Sequence, residues 1–260
     1  MLKTTGIYYH IGRKLILSNI SAEFKPGEFN MILGPNGSGK STFLKIFSGE
    51  INQFEGTVLY GDEKIRDIKK EGLAKYRAVM SQQPELSFPL TVEEVVMMGR
   101  YPHFTFNPNK RDFTICEAVM ERMNLLSFKE RNYLTLSGGE KQRVQYARVL
   151  AQIWEKPTSG CRYLFLDEPL TSLDISYQQE FLQIAREFTK EGTVLIAVMH
   201  DINLAIQYAD KLFFFKEGEL VAQGRPADIL CESLIEIVFG VQTAIINNPV
   251  TNTPLVVYKN

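Results

Sequence analysis

Phe29-Asn30-Met31-Ile32-Leu33-Gly34-Pro35-Asn36-Gly37-Ser38-Gly39-Lys40-Ser41-Thr42 decides the fold. Its first five residues read as a short buried strand, and the residues from Lys40 onward open a helix whose Phe43, Leu44 and Phe47 face a core before Gly49 ends it. Between strand and helix lies G-x-x-x-x-G-K-S. Glycines let a backbone curl until several N–H groups point inward, and the helix that follows adds its positive end, so such a loop cradles phosphate oxygens. The pattern makes Gly34, Pro35, Asn36, Gly37, Ser38, Gly39, Lys40, Ser41 and Thr42 a candidate nucleotide cradle, with Lys40 reaching the β and γ phosphates and Ser41 on Mg2+. A glycine-rich turn with an exposed lysine is the alternative, and the strand-before, helix-after context argues against it.

Working outward, residues 6–11 and 15–24 read as strands, the second with Ile16, Ile20, Ala22 and Phe24 on alternate positions, before a turn at Pro26-Gly27. Strands over 57–60 and 78–81 follow, and then Pro84, Pro89 and Pro102 break the pattern. Thr91 with Glu94 forms a capping-box signature, and Phe113, Val119, Met120 and Met123 give a later helix its apolar face. We read residues 84–135 as a helical insert that continues into a long helix from Ser137, which carries Val144, Ala147, Ala151 and Trp154 at helical spacing. Strands at 163–166 and 193–199, a helix over 201–208, and a hairpin of 212–215 with 220–222 about Glu217-Gly218 complete a mainly parallel α/β core with antiparallel additions. The pattern predicts a single domain over 1–260 that closes with a β-hairpin extension at 241–260.

Two further stretches carry chemistry. Arg162-Tyr163-Leu164-Phe165-Leu166-Asp167-Glu168-Pro169 is an apolar strand ending in adjacent carboxylates. A turn at the strand end brings both acids to one cleft, where Asp167 suits a Mg2+ shell and Glu168 suits a general base for an attacking water. The second stretch, Leu136-Ser137-Gly138-Gly139-Glu140-Lys141-Gln142-Arg143, opens the long helix, with Ser137 as N-cap and Glu140 as its capping-box partner. Glycine costs about 0.8–1.0 kcal/mol relative to alanine inside a helix, so two of them in a first turn make sense where an anion must approach the backbone closely.

Bulk properties narrow the function classes. With 29 basic and 30 acidic residues and a net charge of -1, the 260-residue chain has no global field that favours nucleic acid, and none is expected as a partner. Cys116, Cys161 and Cys231 are far apart and form no metal-binding spacing, which argues against a disulfide scaffold or a zinc site. The start, MLKTTGIYYH, lacks a signal-type apolar core, and the longest uncharged stretch, 237–258, is broken by Gln242, Asn247, Asn248, Pro249, Asn252 and Pro254. Any membrane role is therefore expected to come through a partner.

The three motifs together resemble those of the ATP-binding-cassette ATPases, and the resemblance covers nearly the whole chain. It implies an ATP-hydrolysing P-loop NTPase (RecA-like) core with a mainly parallel sheet, an N-terminal antiparallel β subdomain and an inserted α-helical subdomain. In that family the LSGGE segment closes over ATP held by the opposing subunit, which implies a head-to-tail homodimer with Ser137, Gly138, Gly139 and Glu140 contacting nucleotide in trans. Gln82, with Gln83 as the competing assignment, resembles the glutamine that links Mg2+ and water to the insert. Asp174 resembles the aspartate that crosses the interface, and His200 the switch histidine at the γ-phosphate. Tyr9 resembles the aromatic that stacks on adenine, with Tyr8 and His10 as competitors. Lys40, Gln82, Glu168 and His200 are thus the implied catalytic set, and Ser41, Gln82 and Asp167 the implied metal ligands. Leu170 departs from the threonine common after the Glu-Pro pair, which we read as local packing.

Residues 88–103, FPLTVEEVVMMGRYPH, resemble the importers of iron siderophores, haem and cobalamin. The loop IWEKPTSGCRYLFLDEP and the tail VFGVQTAIINNPVTNTPLVVYKN lean towards the haem branch. That resemblance implies a transmembrane permease dimer as partner, indirectly a substrate-binding protein, and a peripheral place at the cytoplasmic face of the membrane. The alternatives are a siderophore or cobalamin importer and a soluble cassette ATPase outside transport.

Overall fold

A computed structural model of the chain describes residues 1–81, 86–158, 160–171 and 173–259. It divides into two compact units, Met1–Asp67 with Ala185–Asn260, and Ile68–Ile184. In the first unit, β1 (Leu2–Ile11), β2 (Lys14–Phe24), β4 (Glu55–Tyr60) and β5 (Glu63–Lys64) form an antiparallel sheet in the order β2-β1-β4-β5, while β3 (Phe29–Leu33) and α1 (Lys40–Phe47) carry the glycine-rich loop between them. Ile20, Ala22 and Phe24 are buried, yet Leu17 rather than Ile16 takes the next inward position. The cause is a bulge: Ile7 pairs with Ile20 but Tyr9 pairs with Leu17, with Asn19 at φ 52°. An extra residue on one strand shifts the alternation by one, and asparagine tolerates the left-handed conformation this needs.

The second unit contains α2 (Lys70–Leu73), β6 (Arg77–Met80), α3 (Val92–Met97), a 3-10 turn (Met98–His103), α4 (Lys110–Arg122), α5 (Gly138–Gln152), β7 (Tyr163–Asp167) and the start of α6 (Ile175–Lys190). β6 and β7 pair in parallel, Arg77 opposite Tyr163 through Met80 opposite Leu166. Thr91 and Glu94 close a capping box on α3, and Asn109 and Asp112 do the same for α4. The inward face of α4 is Ile115, Cys116, Val119 and Met120, with Met123 just past its end, whereas Phe113 is exposed. In the first turn the buried place belongs to Asp112, which is only 2% exposed and accepts a 3.0 Å bond from Arg100 Nε. Arg100, equally buried, also donates to Ala151 O and to Glu155 Oε2, each at 2.8 Å, so the cation is held on three sides. Trp154 lies beyond the end of α5 and is not part of its buried stripe.

The first unit resumes with β8 (Val194–Val198), α7 (Ile202–Tyr208), β9 (Lys211–Lys216), β10 (Glu219–Gly224), α8 (Pro226–Ile229), α9 (Glu232–Phe239), β11 (Thr243–Asn247) and β12 (Pro254–Tyr258). Fully buried β3 pairs in parallel with β8 on one side and β9 on the other, as strands covered on both faces do, and its one polar residue, Asn30, donates its amide to Glu28 O and Leu195 O. β10 returns antiparallel to β9 through Glu217 and Gly218, both at positive φ, the backbone of a type I′ turn. Phe24 packs on Phe213 with ring centres 4.7 Å apart, and Phe43 on Phe215 at 5.3 Å. β11 and β12 pair in register from Thr243 opposite Tyr258 to Asn247 opposite Pro254. The result is a mixed α/β protein with parallel strands at the phosphate loop and an antiparallel sheet at the N-terminus.

Candidate nucleotide site

The loop between β3 and α1 is closely walled by backbone and side-chain atoms. At Gly34, φ is 153° and a Cβ would stand 2.2 Å from Phe215 O; at Gly39, φ is 99° and a Cβ would stand 2.6 Å from Leu17 Cδ2. Only glycine fits either position. Ser38 O accepts a 3.1 Å bond from Gly218 N, so the β9–β10 turn fastens the loop from behind. Lys40 is 5% exposed, and its ammonium donates 2.9 Å bonds to Gly34 O and Pro35 O. Phosphate oxygens carry full charge and compete well for such a donor. Asn36 and Gly37 are exposed at the loop tip, Ser38 is buried, and Ser41 and Thr42 are half-buried in the first turn of α1, the positive end of its helix dipole. Tyr9 is half-buried on β1 opposite Leu17, Tyr8 is half-buried, and His10 is exposed. His200 is exposed at the end of β8, just after Met199, whose N–H bonds Ile32 O at 3.0 Å.

The second unit holds the acidic pair and the LSGGE segment. All five residues of β7 are buried, ending at Asp167, and Glu168 follows at φ 51°, a left-handed conformation uncommon outside glycine. The chain turns there, and Asp167 and Glu168 both line one cleft of about 710 Å³ together with Tyr133, Gly138, Lys141, Gln142 and Gln145. Thr171 Oγ1 donates to Glu168 O at 3.3 Å, and Gln142 Nε2 donates to Pro169 O. Leu170 is buried. Ser137 caps α5: its Oγ accepts from Glu140 N at 3.3 Å, and Glu140 Oε2 accepts from Ser137 N at 2.7 Å. The Ser137 backbone N–H holds the Glu140 carboxyl below the usual range. Ser137 and Gly138 are exposed, and Gly139 is half-buried. Asp174 is exposed and caps α6 by accepting from Tyr177 N at 3.0 Å and Ser176 Oγ at 2.9 Å; the Tyr177 N–H depresses its carboxyl. Gln82 and its competitor Gln83 lie outside the described residues.

Sequence reading gives no role to Arg143, the last residue of the quoted LSGGE stretch, or to Tyr146 one turn further along α5. Arg143 lies over the Tyr177 ring at 4.3 Å, and Tyr146 stacks on Phe181 at 3.7 Å, so α5 and the first turns of α6 are joined by a cation–π contact and a ring stack. The only signal was the spacing of 143 with 146 and of 177 with 181, which places each pair on one helix face. As for metal, the candidate donors Ser41 and Asp167 offer hydroxyl and carboxylate oxygens, the hard donors Mg2+ takes, and among the described residues no group of three or more His, Cys, Asp or Glu forms a cage. Taken one by one, oxygen donors of this kind suit Mg2+, which completes its shell with substrate phosphates and water.

The sequence profile of the ABC transporter family matches residues 17–171. The chain belongs to the ABC transporter family. It is 44% identical to the hemin import ATP-binding protein HmuV of Gloeobacter violaceus over 99% of this chain and 94% of that one. With the protein of the same name from Escherichia coli O157:H7 it shares 36% identity over 99% of both. Among solved structures it resembles the dimeric bacterial ABC transporter cassette MJ0796 at a TM-score of 0.73 and 28% identity, covering 86% of this chain and 98% of that one. The fold is the P-loop NTPase fold of ABC cassettes, and as an ABC ATPase the chain takes ATP as its substrate. No helix among the described residues is long and apolar enough to cross a membrane.

Proposed function

We propose that this ABC ATPase powers a haem importer from the cytoplasmic face of the membrane, as one half of a head-to-tail homodimer seated on a permease dimer and fed indirectly by a substrate-binding protein. The observation that carries the reading is end-to-end similarity to proteins named for hemin import, tail included. In this reading the phosphate loop, Gly34 to Thr42, binds the ATP phosphates through backbone N–H groups and Lys40, while Tyr9 supports adenine. Ser41, Asp167 and Gln82 would hold Mg2+, which would supply positive charge to offset that of the phosphates. Glu168 takes a proton from the attacking water and His200 contacts the γ-phosphate. Ser137, Gly138 and Gly139, with Glu140 holding their turn in shape and Asp174 beside the interface, engage the nucleotide of the opposing copy.

A groove of about 610 Å³ lined by Met97, Tyr101, Phe104, Phe106, Pro108 and Phe113 supports the permease partner. Phe106 is 90% exposed there, and an apolar surface of this kind marks an interaction site. We read residues 84–135 as the helical insert that presents this groove, and 241–260 as an extension of the single domain. The decisive experiment reconstitutes the chain with its permease and adds a binding protein loaded with haem. A rise in ATP hydrolysis supports the reading, and a rise with a ferric siderophore instead overturns the cargo. The Glu168→Gln protein is expected to bind ATP and accumulate as a dimer; rapid steady-state turnover by it would remove Glu168 from the mechanism.

A further inference from the structure

We propose that the C-terminal hairpin braces the His200 segment through Asn203, which makes Asn203 a positioning residue for ATP hydrolysis. Asn203 is the second residue of α7, and both ends of its amide are spent on one residue of β12: Nδ2 donates to Val256 O at 3.1 Å, and Oδ1 accepts from Val256 N at 2.9 Å. A side-chain amide that satisfies the N–H and C=O of the same residue mimics the pairing of a neighbouring strand, so the two-stranded hairpin acquires a third partner. The contact is sheltered, with Val256 only 3% exposed. The hairpin is itself fastened, since Lys259 N donates to Gln242 O at 2.9 Å and Lys259 Nζ pairs with Glu232 on α9 at 3.0 Å.

His200 lies between two anchors. On one side Met199 N is bonded to Ile32 O of β3, the strand that leads into the phosphate loop. On the other, Asp201 caps α7 by accepting from Leu204 N at 2.9 Å, and Asn203 ties that same first turn to Val256. The histidine side chain is exposed, and where it reaches depends on the position of the backbone that carries it. A first turn held at both Asp201 and Asn203 fixes that backbone, whereas a turn held at Asp201 alone is free to tilt. Aspartate cannot replace the amide fully, because it accepts from Val256 N but offers no donor to Val256 O. The proposal rests on the reading of His200 as the γ-phosphate contact, and it gives the tail a share in hydrolysis.

The test compares ATP hydrolysis by the full chain with Asn203→Leu, Asn203→Asp, His200→Ala, and Asn203→Leu combined with His200→Ala. Asn203→Leu should lower kcat about tenfold with KM for ATP nearly unchanged, as expected when a reacting group is displaced and substrate binding is left intact. Asn203→Asp should fall between it and the parent. In the His200→Ala background, Asn203→Leu should cost nothing further, because the brace acts through the histidine. Unchanged kcat in Asn203→Leu while His200→Ala is impaired overturns the brace alone. An equal further loss in the double variant also overturns it, by showing a general structural effect. Unimpaired His200→Ala removes the underlying reading, and the proposal with it.

Discussion

Replacing Arg100 with methionine should expose how much the second unit depends on one buried cation. The guanidinium bonds Asp112 Oδ1 at 3.0 Å, Ala151 O at 2.8 Å and Glu155 Oε2 at 2.8 Å, and the Arg100 and Asp112 side chains are each 2% exposed. Methionine fills much of the same space but leaves Asp112 as a buried charge without its partner, a loss worth about 3–5 kcal/mol. With a urea slope of about 2 kcal/mol per molar, the unfolding midpoint falls by about 2 M. The single tryptophan, Trp154, is adjacent to Glu155 and reports the transition by fluorescence. Asn109 N donates to Asp112 Oδ2 at 2.9 Å, a bond that an asparagine oxygen can also accept. Adding Asp112→Asn to Arg100→Met therefore removes the stranded charge and keeps the helix cap, and should recover about 2 kcal/mol. A midpoint shift below about 0.5 M for the single variant, or no recovery in the double, would refute the reasoning.

Gly99→Ala should destabilise the same unit by about 1–3 kcal/mol or more in the same urea assay, because the added Cβ would stand 2.0 Å from Arg148 O on α5. His103 is held below its ordinary pKa by burial, which outweighs the opposing effect of Gln152 O 2.8 Å from its Nε2. The folded state therefore binds fewer protons than the unfolded one, so stability is full above about pH 6.5 and declines as pH falls, and His103→Gln should flatten that decline in denaturation curves taken between about pH 7 and pH 5. Lys40→Met should weaken ATP binding about tenfold or more by calorimetry, and chelation of Mg2+ should abolish hydrolysis in the parent protein.

The features legible in the sequence are those whose physics is local. The phosphate loop declared itself because the strand before it, its glycines, its lysine and the start of the helix after it lie within 14 consecutive residues, and the capping pairs Thr91–Glu94 and Ser137–Glu140 because their partners stand three residues apart. Alternation in β2 read correctly only as far as the bulge at Asn19, since a period of two carries no mark of an inserted residue. Phe113 misled for a different reason. Helical spacing predicts a face but not that an aspartate bound to a buried arginine will occupy its first turn. Partners such as Arg100 with Glu155 and Asn203 with Val256 are 55 and 53 positions apart, and only the fold brings them together.

The wall around Gly34 and Gly39 has a kinetic meaning. A loop fixed by Phe215 O, by Leu17 and by the Gly218–Ser38 bond has little conformational freedom left to lose when a phosphate arrives. Capture of ATP should then be limited by encounter rather than by loop ordering, with an association rate that follows solvent viscosity and is insensitive to agents that merely stiffen surface segments.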